Sequence, residues 1–78
     1  MPKVFVWQGW AFLFYSLDRT EPPHVHVTKD RKECKIWLDS LDVAKNKRCT
    51  EHELNAILAV VRERRSAILE KWHEHFGN

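Results

Sequence analysis

His24 and His26 stand one residue apart in the stretch EPPHVHV, residues 21–27, directly after two prolines. On a strand, side chains two positions apart leave from one face, with Cα atoms about 6.5 Å apart. Two imidazoles so placed suit three roles. They could chelate one metal ion through a ring nitrogen each, with a third ligand from Asp18, Glu21, Asp39 or Asp42. They could act as general acid and general base in metal-independent RNA cleavage, with Arg19, Lys29, Arg31 or Lys35 holding phosphate. Or they could hydrogen-bond locally and pin the Pro-Pro turn. Of the two chemical roles, acid–base catalysis by His24 and His26, with Lys35 or Arg19 on the phosphate, is the leading one. It needs no metal and no other cofactor.

The remaining reactive residues point elsewhere. His73 and His75 are two apart on a predicted helix, so they diverge by about 200° and share a ligand poorly. They suit a helix C-terminus, where positive charge meets the dipole. His52 falls in a first helical turn, where it is solvated. Arg62, Arg64 and Arg65 read as a solvated helix face, with an acidic or nucleic-acid contact as the alternative. Cys34 and Cys49 lack CxxC spacing and are too few for a disulfide scaffold.

The elements that must position the histidines are partly legible. Residues 3–16 (KVFVWQGWAFLFYS) are rich in β-branched and aromatic types. They read as strands over about 3–8 and 11–16, joined at Gly9. Residues 17–23 form a turn, because Asp, Thr and two prolines leave little room for regular structure. Proline disfavours α conformation in the residue before it, so Glu21 is extended. Strands follow at about 24–28 and 33–38, with a polar hairpin turn between them. Residues 39–49 read as a short extended piece and a basic loop. Thr50 and Glu53 make a capping box. Apolar residues then recur at Leu54, Ile57, Leu58, Val61, Ile68, Leu69, Trp72 and Phe76, the spacing of one helix face. The expected fold is α+β: a single domain, residues 1–78, with a mostly antiparallel four-stranded sheet and one long C-terminal helix over about 51–75.

Parity assigns the faces. Val25 and Val27, with Cys34, Ile36 and Leu38, should meet the helix. His24, His26, Lys35 and Trp37 should share the opposite face. In the first two strands Phe5, Trp7, Ala11, Leu13 and Tyr15 hold one parity, and Val4, Val6, Phe12 and Phe14 the other. Both sets are apolar, and one helix covers only one face. The second is therefore expected to lie under another copy of the chain or another protein. Trp7, Tyr15 and Trp37 are the aromatic candidates for that interface.

The totals fit a small domain. The chain has 78 residues and a formal charge of +2, which permits an acidic partner or RNA. A domain this short buries only about 60% of the surface its unfolded chain exposes. No signal segment and no apolar run of membrane-spanning length is evident, so a reduced cytoplasmic protein is expected.

Several motifs together resemble a family of short bacterial and archaeal proteins classed as a domain of unknown function. They are Phe14-Tyr15-Ser16, Pro22-Pro23-His24-Val25-His26-Val27, Cys34-Lys35-Ile36-Trp37-Leu38, Leu41-Asp42-Val43-Ala44-Lys45-Asn46, and Trp72 to Gly77. The resemblance covers roughly residues 10–77. Its departure is Cys34, where the family more often has Ala. Genes of that family often lie beside one for a second small domain, sometimes with a helix-turn-helix. The resemblance therefore implies the toxin of a type II toxin–antitoxin pair, neutralised by a cognate antitoxin. Taken with the parity argument, the expected partners are that antitoxin, a second copy of the chain as a homodimer, and RNA if the toxin is a ribonuclease. A non-enzymatic regulatory module and a metal-binding domain using His24 and His26 are the alternatives.

Overall fold

The structure is a computed structural model that describes residues 3–77. Five strands run β1 (Lys3–Trp7), β2 (Trp10–Leu13), β3 (His24–Lys29), β4 (Lys32–Trp37) and β5 (Val43–Lys47). They form one antiparallel sheet in sequence order. A 3-10 turn, Ser16–Thr20, separates β2 from β3, and two helices close the chain, α1 (Glu51–Glu63) and α2 (Arg65–Phe76). The α+β class and the antiparallel sheet are as expected. The strand count and the single helix are not.

The fifth strand, VAKNK, is exposed at every position. It lies at the sheet's edge and buries neither face, so it carries no alternation to read. The second strand ends at Leu13 rather than Ser16, because the chain leaves the sheet at Tyr15 to enter the 3-10 turn. The long helix breaks at Arg64 (φ −104°, ψ 15°). A straight helix over residues 51–76 would be about 39 Å long, whereas the molecule's longest extent is 33 Å. The break keeps Ile57 and Val61 of α1 and Ile68 and Trp72 of α2 in one core. It also places the Arg64 guanidinium 4.6 Å from the ring centre of Phe5.

The β1–β2 turn changes the parity of the first two strands. Gln8 and Gly9 are both at positive φ (48° and 83°), the mirror-image turn that matches the strands' twist. Trp7 therefore pairs Trp10, and Phe5 pairs Phe12. From Phe5 to Trp7 an odd residue of β1 faces an even one of β2, and a register shift before Phe5 pairs Lys3 with Leu13. Phe5, Trp7, Trp10 and Phe12 share the helix side, and Val6, Ala11 and Leu13 the other. Phe5 stacks on Phe12 with ring centroids 4.3 Å apart.

β3 and β4 keep the expected parity. Val25 pairs Ile36 and Val27 pairs Cys34, on the helix side. His24 pairs Trp37 and His26 pairs Lys35, on the other, where the His24 ring also meets Trp72 of α2 at 5.2 Å. The second face continues through Lys45 and Lys47, paired with Lys35 and Glu33. No helix among the described residues is long and apolar enough to cross a membrane.

Two groups in this scaffold make checkable statements. Glu53 joins the sheet to α1: it takes a hydrogen bond from Lys32 at 2.6 Å and one from the Thr50 N–H at 2.9 Å. The Lys32 ammonium, first, and the Thr50 N–H hold its carboxyl down to about 2. A depressed carboxyl stabilises the fold above its ordinary range, and that contribution disappears as pH falls toward about 2. Glu53→Gln should therefore lower the thermal midpoint near pH 7 and leave it unchanged at the acid end of a circular-dichroism series. Cys34 is fully buried, and burial, with the neighbouring Cys49, pushes its thiol up to about 12. The thiolate is the reactive form. Alkylation of Cys34 by iodoacetamide should then proceed at the rate of unfolding and rise steeply with urea.

Candidate functional site

The site begins with the turn that the prolines end. Asp18 N–H donates to the Tyr15 carbonyl, and Glu21 N–H donates to the Asp18 carbonyl, each at 3.0 Å. Tyr15 N–H in turn donates to Asp18 Oδ2 at 2.7 Å. This short reciprocal knot aims the other carboxylate oxygen, Oδ1, at the sheet. The two proline carbonyls are both used: Pro22 accepts from the ring of His24, and Pro23 accepts from the Leu38 N–H. Proline has no N–H of its own to leave unpaired. The segment enters β3 rigidly and with its backbone satisfied.

On β3 the two imidazoles meet Asp18. His24 Nε2 is 3.0 Å and His26 Nε2 is 3.2 Å from the same Oδ1. Donor atoms of all three residues lie within 4.8 Å of one another. The outer nitrogens have their own neighbours. His24 Nδ1 is 2.8 Å from the Pro22 carbonyl, and His26 Nδ1 is 3.3 Å from Glu33 Oε2. The His24 approach to Asp18 misses hydrogen-bond alignment, so Nε2 is a buried atom without a hydrogen-bond partner; His26 Nδ1 is another.

The surroundings are aromatic. Tyr15 meets His26 edge-on at 4.3 Å, and Trp37 and Trp72 approach His24 at 5.4 and 5.2 Å. His24 has no exposed surface and His26 keeps 12%. Burial alone would push the Asp18 carboxyl up. The Tyr15 N–H and the two histidines more than offset it and hold the carboxyl below its ordinary value. Tyr15 is shifted the other way: burial and the Glu33 carboxylate raise its hydroxyl.

Residues 9–73 match a family described as a domain of unknown function, DUF4160. The chain belongs to that family. No curated protein and no solved structure matches it.

The other residues singled out in the sequence of this DUF4160 member are dispersed. Lys35 lies on the histidine face, 4.6 Å from the Trp37 ring centre, and its ammonium is taken by Glu21. Arg19 lines a different hollow of about 380 Å³ with Ser16, Leu17, His75 and Phe76. Of the interface candidates, Tyr15 and Trp37 flank the histidines, while Trp7 packs on the helix side. Of the four acidic residues named as third ligand, Asp18 converges on the rings. Asp39 instead meets Arg65. Glu33 was not singled out, although it has a readable signal: it lies two residues before Lys35 on the same strand face, diagonal to His26.

Asp18 should be the most costly residue of the site to truncate. In metal-free buffer, Asp18→Ala should lose about 2–3 kcal/mol in urea unfolding, since the Tyr15 N–H and the His26 ring lose a charged acceptor. Asp18→Asn keeps an acceptor for the Tyr15 N–H and should lose clearly less. Equal losses would show that the Tyr15 bond is not what the carboxylate supplies.

Proposed function

We propose that this chain is the toxin-like binding component of a toxin–antitoxin pair, and that the sheet face opposite the helices takes an acidic partner. The observation that supports it is the composition of that face. Lys3, Lys45 and Lys47 lie on it beside Lys35, whose ammonium is paired with Glu21, against Glu33 as the one acidic residue on this face among the described strands. Val6, on the same face, is 55% exposed. A basic surface around apolar residues fits an acidic, partly apolar partner, and its charges act mainly on association rate and choice of partner. The toxin–antitoxin setting itself rests on the family resemblance.

Action by contact is favoured over histidine-dependent RNA cleavage. A general acid or base needs a ring nitrogen within reach of the substrate. His24 has no exposed surface, and both nitrogens of His26 already face carboxylates. The Lys35 ammonium, the candidate phosphate holder, is occupied by Glu21.

The test is a charge reversal on the edge strand β5. The product of the neighbouring gene should bind the purified chain, and binding should weaken as salt rises. Lys45→Glu/Lys47→Glu should weaken it at least tenfold while circular dichroism stays unchanged. Equal binding by the folded double variant, or no growth effect of induced chain for the partner to relieve, would defeat the reading. RNA cleavage by wild-type chain that His26→Ala abolishes would replace contact with catalysis.

A further inference from the structure

We propose that Asp18, His24 and His26 hold one divalent first-row transition ion, through Asp18 Oδ1 and the Nε2 atoms of both histidines. This is independent of the binding role above and uses other residues.

A count of protons leads to it. Four nitrogen–oxygen approaches of 3.3 Å or less surround the two rings: His24 Nδ1 to the Pro22 carbonyl, His24 Nε2 to Asp18, His26 Nε2 to Asp18, and His26 Nδ1 to Glu33. Two neutral imidazoles carry one N–H each. Two of the four approaches then set a nitrogen lone pair against oxygen lone pairs in a buried place. A carbonyl oxygen can only accept, so the His24 proton belongs on Nδ1, toward Pro22 at 2.8 Å. That leaves His24 Nε2 bare, fully buried and 3.0 Å from a carboxylate oxygen. Such a contact is repulsive unless something positive lies between.

One cation among the three atoms resolves every approach at once. With the second proton on His26 Nδ1, that ring donates to Glu33, and both Nε2 lone pairs and Asp18 Oδ1 face the ion. Metal-bound histidines regularly donate their other N–H to a carbonyl or carboxylate. Here one ring has each kind of acceptor in place. The spacing also fits. Bonds of about 2.0–2.1 Å in tetrahedral geometry put neighbouring donors about 3.4 Å apart, close to the 3.0 and 3.2 Å from Asp18 Oδ1 to the two Nε2 atoms, and all three donors lie within 4.8 Å of one another. Two imidazoles and one carboxylate suit zinc or ferrous iron rather than calcium or magnesium, which prefer all-oxygen shells. Three protein donors leave a fourth position for water or a partner's side chain.

The competing arrangement places the positive charge on the rings: two imidazoliums, with a proton in each of the four approaches and no ion. The experiment separates the two. Tag-free protein is stripped with chelator and titrated with zinc ion against a chromogenic competitor, while the ring ¹⁵N resonances are followed. About one ion per chain should bind. The Nε2 resonances of His24 and His26 should shift, and those of His52, His73 and His75 should stay. Glu33→Gln, which touches no metal-ligating atom, should weaken binding by about 10- to 100-fold. His26→Ala should abolish it. Wild-type protein that binds well under one ion per chain, or binding that shifts only the helix histidines, would overturn the assignment. The ring resonances need no variant, so the result stands even if His26→Ala fails to fold.

Discussion

The Asp18 carboxylate reaches both histidines only because the chain turns back between Tyr15 and Thr20 and is held there. One of its oxygens closes the turn on the Tyr15 N–H, and the other faces the two Nε2 atoms. Local and long-range structure are thus joined in one side chain. Without the turn, β2 and β3 would still pair through Phe12 and Val27. The ring of His26 would then lose the Asp18 carboxylate that it meets at 3.2 Å. A buried polar group without a partner costs on the order of 1–3 kcal/mol. The turn, the proline entry and the histidine pair therefore stand or fall together.

The sheet register decides what lies beside the cluster. Direct pairing of His26 with Lys35, and of Lys35 with Lys45, carries the histidine face outward to the β5 edge. The cluster occupies the closed end of that face, under the 3-10 turn. The lysines flank it across the sheet, Lys3 toward the β1 edge and Lys35 and Lys45 toward the β5 edge. Polar chemistry and charged surface are adjacent but distinct, so one can be altered without dismantling the other.

Sequence made much of this legible where burial imposes a period. The parity of β3 and β4 was correct because Val25, Val27, Cys34 and Ile36 each meet the core. The helix stripe was correct in its residues and wrong in its continuity. Its break at Arg64 follows from the size of the molecule, which no local residue encodes. Positions 43–47 carried no strand signal because an exposed edge strand buries nothing. The parity of β1 against β2 is not legible for a different reason: a two-residue turn couples odd to even positions, and the sequence leaves the turn length open. Within the site, the histidines were readable from spacing. Asp18 was one of four candidates, because choosing among them required the path of a segment that looked irregular. What makes the choice is a single hydrogen bond, from the Tyr15 N–H to the Asp18 carboxylate.

A chain of 78 residues has little stability to spare, since so small a domain buries only part of what a larger one would. Burying His24 completely among Trp37, Trp72 and His26 removes a polar ring from water. An apolar residue of similar size would fill the same space without that desolvation. The histidine earns its position only if its second nitrogen is engaged, because one hydrogen bond to Pro22 leaves the other lone pair against a carboxylate. Whatever engages it must be positive and must lie between Nε2 and Oδ1. The same requirement arises independently at His26, whose ring faces a carboxylate on each side. Two rings that separately call for positive charge, and that meet on one oxygen, are most simply met by a single shared ion. Such an ion would tie the 3-10 turn to β3.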